Sequence, residues 1–227
     1  MLAYHRIGEP KGDHVPTVTP EVFAYQLRYL QRHRYHVVDF GTLVEMIRTG
    51  RSLPARAVAL TFDDGYEETY TVAMPQLHRC GFCATVFLAP AEVGRPGFVT
   101  WEQARQLAGD GFTIGSHTMH HMFLPHASLD LIRQELADSK QILERELGRE
   151  IAWLSYPIGG YTAEVQRIAR AVGYQAACTT NRGVSKRSQD VFAIRRIKMT
   201  ERDRQPFSLW AKLSGFYDLF RSLEPSA

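Results

Sequence analysis

The sequence predicts an α/β fold in one domain, with parallel strands covered by helices and arranged as an open sheet or closed into a barrel. Three observations lead there. Strand and helix patterns alternate along almost all of the 227 residues, giving seven or eight βα units with short connections. No Gly-rich phosphate fingerprint follows the first strand, which weakens an open dinucleotide-binding sheet. Polar residues gather directly after strands, at Tyr4-His5, Asp63-Asp64, His117 and Tyr156-Pro157. Side chains at the carboxyl ends of several strands make the working face of a (β/α) barrel.

MLAYHRI reads as the first strand. Thr19-Pro20-Glu21 opens a helix, with Thr19 as N-cap, Pro20 at the first helical position, and Phe23, Leu27 and Leu30 at helical spacing. HVVDF is a short strand and GTLVEMIRTG a short helix closed by Gly50. AVALTFDD is a strand, followed by a helix through residues 67–80. CATVFLA (strand), TWEQARQLAGD (helix capped by Thr100) and FTIGSHT (strand) come next. Residues 128–148 form the longest helix, capped by Ser128, buried along Leu129, Ile132, Leu136, Leu143 and Leu147, and ended by Gly148. IAWLSYP is a strand, TAEVQRIARAVG a helix ending at Gly173, YQAACTT a strand and FAIRRIKM the last strand. The barrel is expected over residues 1–205. In residues 206–227, Phe207, Trp210, Leu213, Phe216, Tyr217 and Phe220 recur at the spacing of an amphipathic helix. That helix is expected to pack on the barrel or, flanked by Lys212 and Arg221, to contact a partner or a membrane surface.

Composition narrows the class. With 44% hydrophobic and 22% charged residues the chain is an ordinary globular protein whose core holds without staples. A net charge of +3, with its basic residues scattered, argues against a nucleic-acid partner. Three cysteines make no complete disulfide framework. Cys80 and Cys83 have redox spacing but fall across a helix-to-strand turn, not at a helix start where thiolates are activated. The N-terminus lacks the basic start and apolar run of a signal peptide, and no stretch approaches a membrane span. The expected location is the cytoplasm, with peripheral contact at the inner face of the membrane through the C-terminal helix as an extension of it.

Chemistry concentrates in two places. AVALTFDDG ends a buried strand in two adjacent carboxylates, which is costly unless something positive sits nearby. Adjacent strand side chains point to opposite faces, so Asp63 and Asp64 converge only if the chain bends, and Gly65 permits the bend. FTIGSHT runs into His117, His120 and His121, three histidines in five residues. Histidines three or four apart share one side of a helical turn, so spacing does not choose between His120 and His121. Histidine with carboxylate suits Zn²⁺ or a similar transition ion and is a poor set for Mg²⁺ or Ca²⁺. Such a cation accounts for the paired aspartates: one is a ligand and the other is free as a base.

TFDDGY at 61–66 and SHTMHH at 116–121 resemble the first two motifs of the polysaccharide deacetylases, carbohydrate esterase family 4 with the NodB-homology fold. MLAYHRI, PEVFAYQLRYLQRHRYHVVDF, GFCATVFL, SYPIGGY and AIRRIKM are similar to segments of shorter members that begin with a Tyr-His strand. The resemblance covers residues 1 to about 200 and implies a distorted (β/α)7 barrel, TIM-like, with a divalent metal, zinc first and Co²⁺ or Ni²⁺ as alternatives. It implies Asp63 as general base and Asp64, His117 and His121 as metal ligands, with His120 unmatched. It also implies an oxyanion donor after the proline of Ser155-Tyr156-Pro157-Ile158-Gly159, which falls on the amide of Ile158. The family's arginine in that motif is replaced here by Ser155, and Arg196 is the candidate to orient Asp63. No histidine follows His126, so the late histidine that protonates the leaving amine in many members has no counterpart. His5, at the end of the first strand, is the replacement candidate, ahead of His120, His126 and His14. Tyr66, Phe123, Tyr156 and Tyr161 follow strand ends and are candidates to line a sugar cleft.

The expected function is metal-dependent hydrolysis of N-acetyl groups on a glycan or glycoconjugate, releasing acetate. Two alternatives remain: a related C–N hydrolase acting on a small or lipid-linked sugar, and an inactive carbohydrate-binding barrel.

Overall fold

The structure, a computed structural model, describes residues 1–180 and 190–214. Its strands are β1 (Leu2–Tyr4), β2 (Arg6–Ile7), β3 (Thr17–Val18), β4 (His36–Val38), β5 (Ala57–Phe62), β6 (Thr85–Leu88), β7 (Thr113–Ser116), β8 (Trp153–Ser155), β9 (Ala176–Thr179), β10 (Ile194–Arg195) and β11 (Ile197–Lys198). Its helices are α1 (Pro20–Arg32), α2 (Phe40–Thr49), α3 (Met74–Cys80), α4 (Trp101–Gly109), α5 (Leu129–Leu147), α6 (Ala163–Val172) and α7 (Pro206–Leu213).

Helix boundaries follow local chemistry. Free N–H groups in a first turn need acceptors. Thr19 accepts from Val22 N–H, Asp39 from Thr42, Ser128 from Leu131 and Thr162 from Val165, while Thr100 and Gln103 form a reciprocal capping box. Helix α5 closes at Gly148 in the left-handed conformation.

The main sheet runs β10-β9-β8-β7-β6-β5-β1-β11, all parallel, with β4 added on β5. Its two ends are one stretch of chain. Arg196 N–H donates to Thr179 O at 2.9 Å, and the next amide, Ile197 N–H, donates to Met1 O at 2.9 Å. Successive amides of a strand point to opposite edges, so residues 194–198 act as a single closing strand between β9 and β1. Counting that strand once, seven strands make the ring, the distorted (β/α)7 barrel.

The core is continuous from the barrel to its helices. Tyr4 of β1, Phe23 of α1 and Phe62 of β5 meet with ring centroids 5.2–5.9 Å apart. Phe23, Leu27 and Leu30 are fully buried, each stabilising the packing of α1 by about 1.5–3 kcal/mol. A smaller cluster joins Phe40 and Val44 of α2 to Phe87, Ala176 and Cys178. Gly115 of β7 marks a close approach, since a Cβ there would lie 2.5 Å from Phe87 Cδ1 and 3.0 Å from the Trp153 carbonyl oxygen. Gly115→Ala is expected to destabilise the fold by about 1–3 kcal/mol through overpacking, read as a lower urea midpoint at unchanged slope.

Three elements depart from the sequence expectation. MLAYHRI is two strands. The chain leaves the barrel at His5, and β2 pairs with β3 outside it, where Arg6 N–H donates to Pro16 O and the Arg6 guanidinium grips Asp13. The expected helix through residues 67–80 opens with a π turn at Thr69–Ala73 before α3. Pro75 has no N–H to donate to the preceding turn and its ring crowds that turn, which widening relieves. Helix α7 spans Pro206–Leu213; Phe216, Tyr217, Phe220 and Arg221 of the expected stripe lie outside the described residues. Leu209, Ala211 and Lys212 of α7 are buried, and Lys212 bonds to Asp203 and to the Lys198 carbonyl of β11. Phe207 and Trp210 are exposed. Among the described residues no helix is long and apolar enough to cross a membrane.

Candidate metal and catalytic site

The site stands on the carboxyl ends of β1, β5, β7 and β8 and on the closing strand. Asp63 and Asp64 follow β5. Asp64 itself takes the left-handed conformation (φ 71), as does Gly65 (φ 78), so the bend that the paired carboxylates require starts one residue earlier than the glycine. His117 follows β7, and His121 sits four residues on, at φ 54, after Thr118 at φ 62. The Thr118 hydroxyl accepts from Met122 N–H, which ties that loop back on itself.

Asp64, His117 and His121 come together. Nε2 of both histidines lies 3.3 Å from Asp64 Oδ1, and the three ligand atoms are within 4.8 Å of one another. Oδ1 is buried and makes no hydrogen bond of acceptable geometry among the described residues, so the three atoms converge on a common point instead of bonding to each other. His117 Nδ1 is 2.7 Å from the Ser155 carbonyl oxygen, which accepts a hydrogen bond from the Nδ1–H and leaves the Nε2 lone pair facing Asp64. Two imidazole nitrogens and a carboxylate oxygen, one ring fixed from behind, fit a transition ion with an open coordination position.

Asp63 faces a different partner. It is buried, and Arg196 grips it bidentately, with Nη1 to Oδ1 and Nη2 to Oδ2 both at 2.6 Å. The same guanidinium reaches Thr61 Oγ1 at 3.0 Å and Ser155 Oγ at 2.7 Å. Ser155, at the position where the family motif carries an arginine, accepts a hydrogen bond from Arg196 instead. Burial raises the Asp63 carboxyl, and Arg196, His117 and His5 outweigh it, so Asp63 lies below its ordinary value. His5 Nε2 is 4.0 Å from Asp63 Oδ2. Burial lowers the His5 imidazole, against the opposing pull of Asp63 and Asp64.

Other expected residues separate. The Tyr156 ring is fully buried and stacked on Tyr161, and Pro157 is buried beside it, so neither side chain forms the cleft wall. They shape the turn that carries Ile158, a β-branched residue at φ 57 and ψ 4 that is 62% exposed. Tyr66 does line a cavity of about 300 Å³, together with Asp64, Ala89, Glu92, Phe98, His120 and His121. Its ring stacks on Phe98 at 5.0 Å, with the Arg6 guanidinium on it at 4.6 Å. His120 turns away from the triad to Glu135 at 2.6 Å. His14 and His126 are exposed. Cys80 and Cys83 are free, and burial raises both thiols. Glu135 and Glu92 escape sequence reasoning. The signal for Glu135 was a carboxylate on the apolar face of α5, between Ile132 and Leu136.

The family profile described as Polysaccharide deacetylase matches residues 50–177. The putative polysaccharide deacetylase YxkH of Bacillus subtilis is 30% identical over 200 residues, spanning 88% of this chain and 71% of that protein. The peptidoglycan-N-acetylglucosamine deacetylase of Bacillus cereus is 31% identical over 122 residues, spanning 53% of this chain and 54% of that protein. Among solved structures, the Streptococcus pyogenes deacetylase PplD in complex with acetate superposes with a TM-score of 0.83, covering 99% of this chain and 97% of that one at 24% identity. That likeness is one of fold.

Proposed function

The chain belongs to the polysaccharide deacetylase family, and on that premise we propose that it hydrolyses N-acetyl groups of an N-acetylglucosamine-containing glycan, with Asp63 as base and Asp64, His117 and His121 holding a divalent transition ion, zinc first. The observation that carries this reading is the division of labour between two neighbouring carboxylates. Asp64 shares a convergence point with two imidazoles, while Asp63 is held apart by Arg196.

When bound, the ion supplies Lewis acidity to the acetamide carbonyl and acidity to water. The chain does the rest. Asp63, ionised at neutral pH and fixed in orientation by Arg196, takes a proton from the attacking water. The Ile158 amide, presented on its strained turn, donates to the carbonyl oxygen as negative charge develops there. His5 enters neutral because burial lowers its pKa. The proton that reaches the leaving nitrogen is the one Asp63 accepted, passed directly or through His5. The C–N bond breaks, giving acetate and a free amine on the sugar. Tyr66 and Phe98 line the cavity, and the edge of their stack gives the sugar an apolar wall, the Tyr66 ring face being taken up by Phe98 and Arg6.

Elemental analysis of the purified protein together with acetate release from chitooligosaccharides tests this. Zinc is expected to copurify, chelator dialysis to abolish release, and added Zn²⁺, Co²⁺ or Ni²⁺ to restore it. Release that persists at full rate after the metal is stripped would refute the metal assignment. Binding without release in the metal-loaded protein would favour the inactive barrel.

A further inference from the structure

We propose that His120, held by the buried carboxylate of Glu135, is a substrate-binding residue that accepts a hydrogen bond from a sugar hydroxyl in the cleft; the proposal rests on the glycan reading above. His120 sits between the two triad histidines in sequence yet belongs to neither. Its Nδ1 is 2.6 Å from Glu135 Oε1. The other oxygen, Oε2, accepts the Met119 and His120 amides at 3.0 Å each. Bracing the loop uses Oε2 alone. Oε1 is committed to aiming one side chain.

That side chain is not buried. The His120 side chain is 60% exposed, while the Glu135 side chain behind it is 3% exposed. An exposed imidazole on a loop ordinarily rotates freely and loses entropy on binding. Here a buried carboxylate fixes it on the wall of the cavity shared with Asp64, Tyr66, Glu92 and Phe98. The polarity of the contact follows from the pair. Glu135 is an acceptor, so Nδ1 carries the ring proton, and in a neutral ring Nε2 then presents a lone pair. Glu92 adds a second acceptor to the same cavity. A wall of acceptors beside a stacked aromatic pair fits a ligand that offers hydroxyl donors around an apolar ring face, which is a sugar.

The test compares wild type with His120→Ala, His120→Gln and Glu135→Gln, measuring KM and kcat for acetate release, calorimetric Kd for chitotetraose, metal content and Tm. For His120→Ala, KM and Kd are expected to rise about three- to tenfold, the worth of one hydrogen bond, with kcat and metal content near wild type and Tm lowered by the loss of the partner of Glu135 Oε1. His120→Gln keeps an acceptor and recovers part of the affinity. Glu135→Gln turns an N–H toward Nδ1, shifts the ring proton to Nε2 and weakens binding although the ring remains. Affinity within about twofold of wild type in His120→Ala, or no binding of chitotetraose by wild type, overturns the proposal. So does loss of metal in His120→Ala, which would put His120 on the ion. If wild type binds but releases no acetate, the deacetylase reading falls, and the Kd ratio still decides the role of His120.

Discussion

Asp63→Asn is expected to lower acetate release by about 10²–10⁴-fold while metal content stays at the wild-type level, the range general base catalysis contributes. The side chain keeps its size and one carbonyl acceptor for Arg196, but its amide NH2 faces the other guanidinium donor and the buried Arg196 charge loses its partner. The variant is therefore expected to be less stable than wild type, and near-ultraviolet circular dichroism checks that the barrel is still folded under the assay conditions. The neighbouring substitution, Asp64→Asn, makes the contrast. Its oxygen is the shared contact of His117 and His121 at 3.3 Å. Weakening it is expected to remove metal and turnover together. Two adjacent carboxylates thus give two phenotypes, separable by elemental analysis alone. Undiminished turnover in Asp63→Asn refutes the base assignment, and metal loss there would merge the two aspartates into one ligand set.

What could be read before the structure was local chemistry. Thr19, Ser128 and Thr162 cap their helices through a contact spanning three residues, and such contacts are written in neighbouring positions. The alternation of strand and helix fixes parallel pairing, because parallel strands require crossovers. Partner exchange between distant strands was not legible. Whether MLAYHRI stays in the barrel depends on residues 16–18 offering β2 a second partner. The site divides the same way. Asp63, Asp64 and the histidines stand out because charged and metal-binding residue types directly after apolar strands are conspicuous. Ser155 reads as a loss on the line of sequence, yet in space its hydroxyl and Arg196 form one bonded unit around Asp63. Tyr156 misleads because position after a strand says nothing about which way a ring turns, and this ring turns into the core.

Arg196→Met is expected to cost about 3–5 kcal/mol of folding stability, the second large effect, because it strands a buried carboxylate. The Arg196 guanidinium is fully buried and supplies both strong donors to Asp63, plus those to Thr61 and Ser155. Methionine fills much of the volume against Phe87 but offers no donor. The sign of the pH dependence makes the cause testable. In the wild type the folded Asp63 pKa lies below its unfolded value. Its contribution is therefore present above the unfolded pKa and lost as pH falls through the folded one. Without Arg196, burial acts with less opposition and the folded pKa moves up. If it rises above the unfolded value, the carboxyl is then better tolerated when protonated, so the variant's stability deficit shrinks as pH is lowered from neutrality toward 4, roughly where a free aspartate titrates. Urea midpoints of both proteins across that interval measure the difference. The same shift changes catalysis: Asp63 binds its proton more tightly, so the acid limb of the rate profile is expected to move to higher pH in Arg196→Met. A stability deficit independent of pH would mean that Arg196 acts by packing the closing strand, and the orienting role would fall to Ser155, whose hydroxyl lies 3.5 Å from Asp63 Oδ2.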